Sequence, residues 1–176
     1  NSKYWQVLKQ GDIIDIVFPA SKASDLYIKN ANETVKNYGF IPRVIGNGSG
    51  YDPFSSDSDE NRFNALWEAL SNNNSKAVYC KGGYGTSRII QMLDKKREPK
   101  LVKPVIGFSD TTVLHCFLHK KWNWSSIHGK ISGEENYPEQ DKNVKELFEV
   151  LQGNVTSLKY YDLVALNKYA QENIVI

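Results

Sequence analysis

The residues with the sharpest chemical character form the run Val105-Ile106-Gly107-Phe108-Ser109-Asp110-Thr111-Thr112. Here a short apolar run ends, and a helical pattern begins just after Ser109. A tight strand-to-helix turn would push the Ser109 hydroxyl into a cleft at the helix N-terminus. The helix dipole and the N–H of Asp110 could then stabilise developing negative charge, which is the chemistry of a serine nucleophile in acyl transfer.

A second interpretation of this serine stays open. Thr111 stands where a Gly-x-Ser-x-Gly elbow would have its second glycine. Ser109 could instead be the N-cap of the helix, supported by Asp110 and Thr112, which is the more common use of a serine at a helix start. Spacing alone does not decide between the two.

A glycine-rich turn, Lys81-Gly82-Gly83-Tyr84-Gly85-Thr86, follows the apolar run 77–80 and opens another helical pattern. Glycines let the main chain approach a ligand and point N–H groups at an anion. The turn matches neither Gly-x-Gly-x-x-Gly nor a P-loop, so it is a weak nucleotide signature. A purely structural left-handed turn is the alternative.

The other candidates are a cation and three histidines. Arg88 could pair with a substrate carboxylate, with a carboxylate of another domain, or in a surface ion pair. His115 is six residues into the helix after Ser109, roughly 9 Å along its axis, which is poor geometry for a base. His119 falls at a solvated helix end, and His128 is the one plausible internal base. No zinc pattern emerges, and we predict neither a metal nor a cofactor.

These residues need elements that bring them together. Apolar runs at 12–18, 40–45, 77–80, 104–108 and 124–128 read as strands, and helical patterns lie between them. This order predicts an α/β fold, a parallel sheet flanked by helices on both faces in a flavodoxin-like or Rossmann-like three-layer arrangement. Four loops should then meet at the carboxyl edge of the sheet: 19–21, 81–85, 109–110 and 128–129.

The composition excludes several classes of protein. The chain has 176 residues, with 22 Lys+Arg against 20 Asp+Glu, and is 40% hydrophobic and 24% charged, which is typical of a soluble globular protein. A net charge of +2 gives no electrostatic argument for nucleic acid or an anionic membrane surface. No apolar run approaches the ~20 residues of a membrane span, and two cysteines are too few for a disulfide scaffold.

The alternating pattern weakens after Gly129. One amphipathic helix is predicted over 143–152, and 157–165 could form a strand. We therefore expect residues 1–130 to form an N-terminal α/β domain carrying the nucleophile, and 131–176 to be a linker and the incomplete start of a C-terminal domain. An exposed apolar patch is expected where that domain docks; its members would be Trp122, Trp124, Tyr160 and Tyr161. Because there is no initiator Met, we expect a chain that is processed, tagged or cut from something longer.

Taken together, three segments resemble the LD-carboxypeptidase family of serine peptidases. They are Cys80–Arg88, Gly107–His115 and Ser126–Gly129, and the resemblance covers roughly residues 7–129. This family includes murein tetrapeptide carboxypeptidases and microcin self-immunity hydrolases. The order, the spacing and the strand–loop–helix context of the three segments all match it.

The resemblance implies a role for several residues. Ser109 would be the nucleophile, and the main-chain N–H groups of Asp110 and Gly83 would form the oxyanion hole. Substrate contacts would come from Gly82, Tyr84 and Arg88. The Glu and His partners of the nucleophile belong to the family's C-terminal domain and have no match in this chain. Lys81 replaces the usual Arg and Lys130 the usual Pro, and both changes could alter the substrate pocket.

The implied function is that of a cytoplasmic hydrolase in peptidoglycan recycling, releasing a terminal D-amino acid from a murein peptide. A microcin-type aminoacyl-nucleotide hydrolase is one alternative. A non-catalytic α/β module that binds an anionic ligand at the glycine-rich turn is another. We expect the 176-residue chain alone to be inactive, because it lacks the Glu and His partners. A homodimer is an open possibility.

Overall fold

The structure is a computed structural model that describes residues 2–46, 52–131, 142–155, 157–159 and 164–167. Five strands alternate with helices along the chain. The strands are β1 (Ile13–Val17), β2 (Ile41–Ile45), β3 (Ser75–Cys80), β4 (Val105–Gly107) and β5 (Ile127–His128). The helices are α1 (Asp25–Asn37), α2 (Asp59–Ser71), α3 (Thr86–Asp94), α4 (Thr112–Phe117) and α5 (Lys142–Leu151).

The five strands form one all-parallel sheet in the order β2-β1-β3-β4-β5. The chain moves outward from β1 to β2, and then returns to the other side of β1 for β3, β4 and β5. This order is the flavodoxin-like one, with a topological switch point between β1 and β3. Ligands of such sheets gather in the crevice at that point, beyond the carboxyl ends of the strands.

Each face of the sheet carries its own apolar core. On one face, Ile14 and Ile16 of β1 pack with Val35 of α1 and Phe148 of α5. On the other, side chains of α2, α3 and α4 pack with Val17 and with alternate residues of β3, including Val78 and Cys80. Because both faces are covered, the strands read as near-continuous apolar runs. The predicted three-layer α/β arrangement is confirmed.

One polar residue interrupts the buried strand β1. Asp15 is fully buried, and Arg43 of β2 donates to it through Nε at 2.7 Å and Nη2 at 2.9 Å. This bidentate pair compensates the buried carboxylate and raises the pKa of Arg43. The pair sits mid-strand, where Asp15 and Arg43 are register partners.

The expected exposed patch at Trp122 and Trp124 is wrong. Both indoles are buried, with exposures of 4% and 0%. A π-helical turn over Leu118–Trp122 and a left-handed Asn123 (φ 57°) redirect the chain, so the two rings pack against each other in the core, with centroids 5.4 Å apart and planes inclined at 54°. Tyr160 and Tyr161 lie outside the described residues.

Two further expectations change at the end of the sheet. β5 is shorter than predicted, because Trp124 forms only an isolated bridge with Lys3. The strand predicted over 157–165 lies partly outside the described residues, and those described there have no regular structure.

α5 packs on the sheet as part of the same unit. Phe148 stacks on Tyr38 with ring centroids 3.9 Å apart, and the N–H of Leu8 donates to the carbonyl of Leu151 at 2.8 Å. The division of the chain at residue 130 remains a prediction. Within the described ranges, every helix is too short or too polar to cross a membrane.

Candidate active site

Ser109 sits directly after β4 in a backbone conformation that serines rarely adopt. Its φ is +61°, in the left-handed region, whereas Phe108 before it is extended. A non-glycine residue in this region costs on the order of 1–3 kcal/mol and persists only where its surroundings enforce it. Such strain is typical of a nucleophile elbow, and we call the turn over Gly107–Thr111 the elbow.

The residues around Ser109 enforce the tight turn. A Cβ added to Gly107 would lie 2.6 Å from Thr111 Oγ1 and 2.8 Å from the carbonyl oxygen of Cys80, so only glycine fits there. Thr111 Oγ1 donates to the carbonyl of Phe108 at 2.8 Å, which closes the loop over a 3₁₀ turn at Ser109–Thr111.

The helix-cap interpretation of Ser109 does not match this geometry. An N-cap residue has extended backbone angles, and its hydroxyl accepts an N–H of the first helical turn. Ser109 is left-handed and lies inside the 3₁₀ turn, whose N-cap is Phe108. The Ser109 side chain is exposed and, among the residues that the structure describes, makes no hydrogen bond.

The glycine-rich turn lies against this serine. A Cβ on Gly82 would stand 2.8 Å from the carbonyl oxygen of Phe108 and 3.5 Å from Ser109 Cβ. The close approach is possible because glycine has no side chain. It places the Gly82–Gly83 main chain beside the serine, where the predicted oxyanion donors Gly83 and Asp110 would have to meet.

The loop after β1 supports the same turn from the other side. Gly83 has a φ of +137°, and a Cβ there would lie 2.2 Å from Ser21 Oγ. That hydroxyl accepts the N–H of Tyr84 and donates to the carbonyl of Phe54, both at 3.0 Å. Ser21 therefore braces the turn at the switch point of the sheet. The sequence placed this loop at the edge but assigned Ser21 no role.

Tyr84 is presented to solvent at this edge. It is 59% exposed and forms an edge-to-face pair with Phe54, 71% exposed, at a centroid distance of 6.5 Å. Exposed aromatic rings held by their own main chain suit contacts with a ligand. The predicted substrate-binding role of Tyr84 stays a prediction.

Arg88 is engaged in ion pairs. Its Nε donates to Asp59 Oδ2 at 3.1 Å, and its Nη1 lies 3.9 Å from Asp52 Oδ2. Main-chain N–H groups of Phe54 and Ser55, with the Ser55 hydroxyl, lower the pKa of Asp52. The surface ion-pair alternative fits this arrangement, and a role in substrate binding would require Arg88 to change partners.

His115 links β4 to the start of β5. One ring nitrogen, Nε2, lies 2.9 Å from the carbonyl oxygen of Gly107, and Nδ1 lies 2.9 Å from Ser126 Oγ. Because a carbonyl only accepts, Nε2 must carry the proton and Nδ1 accepts from the Ser126 hydroxyl. Burial, with a smaller effect from nearby His128, lowers the pKa of His115 against the opposing effect of the Gly107 hydrogen bond. With both nitrogens occupied, His115 is poorly suited to act as the base.

A cleft of about 500 Å³ opens beside the elbow, between the end of β5 and α5. Phe108 and the exposed His128 line it, together with Lys130. The cleft gives the edge a second wall on the side opposite the glycine-rich turn. In the described part of the chain, no three His, Cys, Asp or Glu side chains are grouped as a metal site would require.

The LD-carboxypeptidase N-terminal domain family model matches residues 14–129. The chain belongs to this family. The match contains the elbow, the glycine-rich turn and the Ser126–Gly129 segment, so the resemblance found in the sequence is confirmed.

Named relatives of the chain agree with this assignment. A Rickettsia conorii protein named "Putative carboxypeptidase" is 37% identical over 165 residues, which cover 91% of this chain and 51% of the relative. The probable murein peptide carboxypeptidase of Bacillus subtilis is 28% identical over 153 residues, covering 82% of this chain and 47% of the relative. The chain therefore spans about half the length of the curated relatives it matches.

Among solved structures, the microcin C7 self immunity protein has a similar fold. Its TM-score is 0.69 at 20% identity, and the match covers 84% of this chain and 46% of that one. At this identity the likeness shows the α/β fold alone.

Proposed function

We propose that Ser109 is the nucleophile of a serine-type LD-carboxypeptidase that releases a terminal D-amino acid from cytoplasmic murein peptides. One observation carries the proposal: a left-handed, exposed Ser109 lies at a strand-to-helix turn against the main chain of Gly82. Family membership supports peptidase chemistry, and the name of the Bacillus relative supports a murein peptide as the substrate class.

The chemistry would run in two acyl-transfer steps. Ser109 Oγ attacks the carbonyl carbon before the terminal amino acid, and a base takes its proton. The N–H groups of Asp110 and Gly83 hold the oxyanion of the tetrahedral intermediate. Collapse breaks the C–N bond and releases the terminal amino acid once its amine has received the proton. Water then attacks the acyl-serine and frees the shortened peptide.

The base and its orienting carboxylate are proposed to come from a C-terminal half outside these 176 residues. Both nitrogens of His115 are already used in structural hydrogen bonds. Within the described ranges, no hydrogen bond joins His128 to Ser109. The chain by itself should then keep only the residual acceleration of main-chain donors, roughly 10³–10⁴ over water.

The experiment compares this chain with a protein extended through the C-terminal half. Release of D-alanine from a murein tetrapeptide is followed by chromatography. The extended protein should turn over and the 176-residue chain should not, and Ser109→Ala should abolish turnover without lowering Tm. Ser87→Ala, at another exposed serine near the turn, is the matched control and should stay active.

Two results would overturn the proposal. Full activity in extended Ser109→Ala would exclude Ser109 as the nucleophile and favour a binding module at the glycine-rich turn. Turnover of an aminoacyl-nucleotide analogue in place of the tetrapeptide would keep the nucleophile but move the substrate to the microcin class.

A further inference from the structure

Arg62, on α2, is fully buried behind the glycine-rich turn. The helical pattern of the sequence gave no reason to single it out. Its Nε donates to the carbonyl of Asp57 at 3.1 Å, and its Nη1 donates to the carbonyl of Gly85 at 2.9 Å. Nη1 also donates to the carbonyl of Pro19, so one guanidinium joins three segments at the carboxyl edge of the sheet.

The site around Arg62 is built for a guanidinium. Asp59 pairs with Nη2, which compensates the buried cation. Gly85 has a φ of +115°, and a Cβ there would lie only 3.1 Å from Nη1. The planar fork of arginine holds its donors in fixed directions, which a lysine ammonium cannot reproduce.

The connection to the proposed active site runs through a single peptide group. The carbonyl of Gly85 and the N–H of Thr86 belong to the same peptide unit. Arg62 donates to that carbonyl, and the N–H donates to Asp110 Oδ2 at 2.9 Å. The peptide is therefore held from both ends, by a buried cation on one side and by the residue after Ser109 on the other.

We propose that Arg62 is a positioning residue of the active site. By fixing the Gly85–Thr86 peptide it holds the Gly82–Gly83 main chain in register with Ser109. Arg62 touches no reacting atom. The inference rests on the proposed function, because the group that it positions is the oxyanion donor of the turn.

The test uses the extended protein with the substitution Arg62→Lys, which keeps the positive charge but loses the planar guanidinium and its fixed donor directions. Removing one oxyanion donor outright lowers kcat by about 10²–10³. A displaced donor should therefore lower kcat at least tenfold, with KM changed less than about threefold. The affinity for a peptide boronate, which forms a tetrahedral adduct on a serine, should fall in parallel with kcat/KM.

The matched control is Arg43→Lys. Arg43 also has a bidentate pair with a buried carboxylate, Asp15, but it lies mid-strand on β2 and contacts no part of the turn. Arg43→Lys should lower Tm and leave kcat and boronate affinity unchanged. A merely structural Arg62 would behave in the same way, and that result would overturn the proposal.

A second pair of variants covers the case in which Arg62→Lys does not fold. Asp59→Asn weakens the anchor of Arg62, whereas Glu60→Gln removes the exposed neighbouring carboxylate in the same first turn of α2. We expect kcat to fall in Asp59→Asn and not in Glu60→Gln; equal effects would assign the loss to the negative charge at the start of α2 and overturn the proposal. If Ser109→Ala is inactive while the Arg62 and Asp59 variants keep a normal kcat, only the positioning role fails. An active Ser109→Ala protein would instead refute the proposed function.

Discussion

The carboxylate of Asp110 accepts a hydrogen bond from the main-chain N–H of Thr86 at 2.9 Å. Thr86 is the first residue of α3, and the N-cap position of that helix is a left-handed Gly85, which has no side chain to cap it. Asp110 thus caps a helix from a distant loop, and its charge is well placed at the positive end of the helix dipole. This contact makes the elbow and the glycine-rich turn one unit.

Asp110→Ala should lower both stability and activity. Losing a cap costs about 1 kcal/mol in the free energy of unfolding. The N–H of residue 110 remains, but the turn is freed from the elbow, so kcat should fall as well. Urea unfolding and D-alanine release measure the two effects in the extended protein.

Ser24→Ala is the control for this prediction, because Ser24 caps α1 by accepting the N–H of Tyr27 at 3.1 Å. It should cost similar stability without loss of kcat. If the two variants lose the same stability and both keep full activity, the contact of Asp110 with Thr86 is only a helix cap.

Ser109→Gly should stabilise the protein while removing its activity. The left-handed conformation at φ +61° costs roughly 1–2 kcal/mol, which glycine does not pay. Glycine also loses more conformational entropy on folding than serine does, and this reduces the gain in stability by about 0.5–1 kcal/mol. A small rise in the free energy of unfolding is therefore expected, with no turnover.

The control for Ser109→Gly is Asn123→Gly, at φ +57° and away from the elbow. Its gain should be smaller, because asparagine tolerates this region better than serine, and activity should remain. A lower Tm in Ser109→Gly would show that the surroundings do not strain this residue.

Gly83→Ala should lower stability and kcat by more than the backbone angle of this residue explains. Its φ is +137°, and the added Cβ would stand 2.2 Å from Ser21 Oγ, so Ser21 and the turn must move apart. Gly11→Ala separates the two causes, because Gly11 also has a positive φ, +84°, but nothing within 4 Å of the added Cβ. Gly11→Ala should lose roughly 1–2 kcal/mol from its angle, and Gly83→Ala at least as much, because a φ of +137° lies further from the region that residues with a side chain tolerate.

Only Gly83→Ala should lose further stability and most of its kcat, measured by urea unfolding and D-alanine release in the extended protein. Equal stability losses with full activity in both variants would mean that the turn has room to adapt.

The strand-to-helix turn at Ser109 was predictable because its causes are local, although spacing alone did not decide between a nucleophile elbow and a helix cap. An apolar β-branched run, a glycine and a serine at a helix start lie within a few residues of one another, and the alternation of elements sets the sheet edge at which they meet. Arg62 and Ser21 were not predictable in this way. Their partners at the turn are 23 and 63 residues away, and nothing in the surrounding pattern shows that a polar side chain will be buried there.

The prediction that two tryptophans are exposed was wrong for a related reason. The sequence pattern places Trp122 after a helical segment and Trp124 at the start of a strand, and both are expected at the face where a second domain docks. The π-helical turn and the left-handed Asn123 redirect the chain into the core. Such a turn depends on packing around the whole segment, and the pattern of apolar residues does not reveal it.

The stability of the fold should depend on pH through His115. Burial, assisted by nearby His128, lowers the pKa of His115 below its usual value, although its hydrogen bond to Gly107 acts in the opposite direction. As pH falls below about 6.5, the unfolded chain takes up a proton that the folded chain resists. The unfolded state then binds more protons, so this contribution to stability is present at neutral pH and is lost on acidification.

His115→Gln isolates this effect, because glutamine can still offer an N–H to the carbonyl of Gly107 but does not titrate. Urea unfolding at pH 7, 6 and 5 should show the wild type losing stability faster than the variant, by at most about 1.4 kcal/mol per pH unit. Both proteins keep every carboxylate, so those groups largely cancel in the difference. Parallel curves for His115→Gln and the wild type would mean that His115 is protonated as readily in the folded protein as in the unfolded chain.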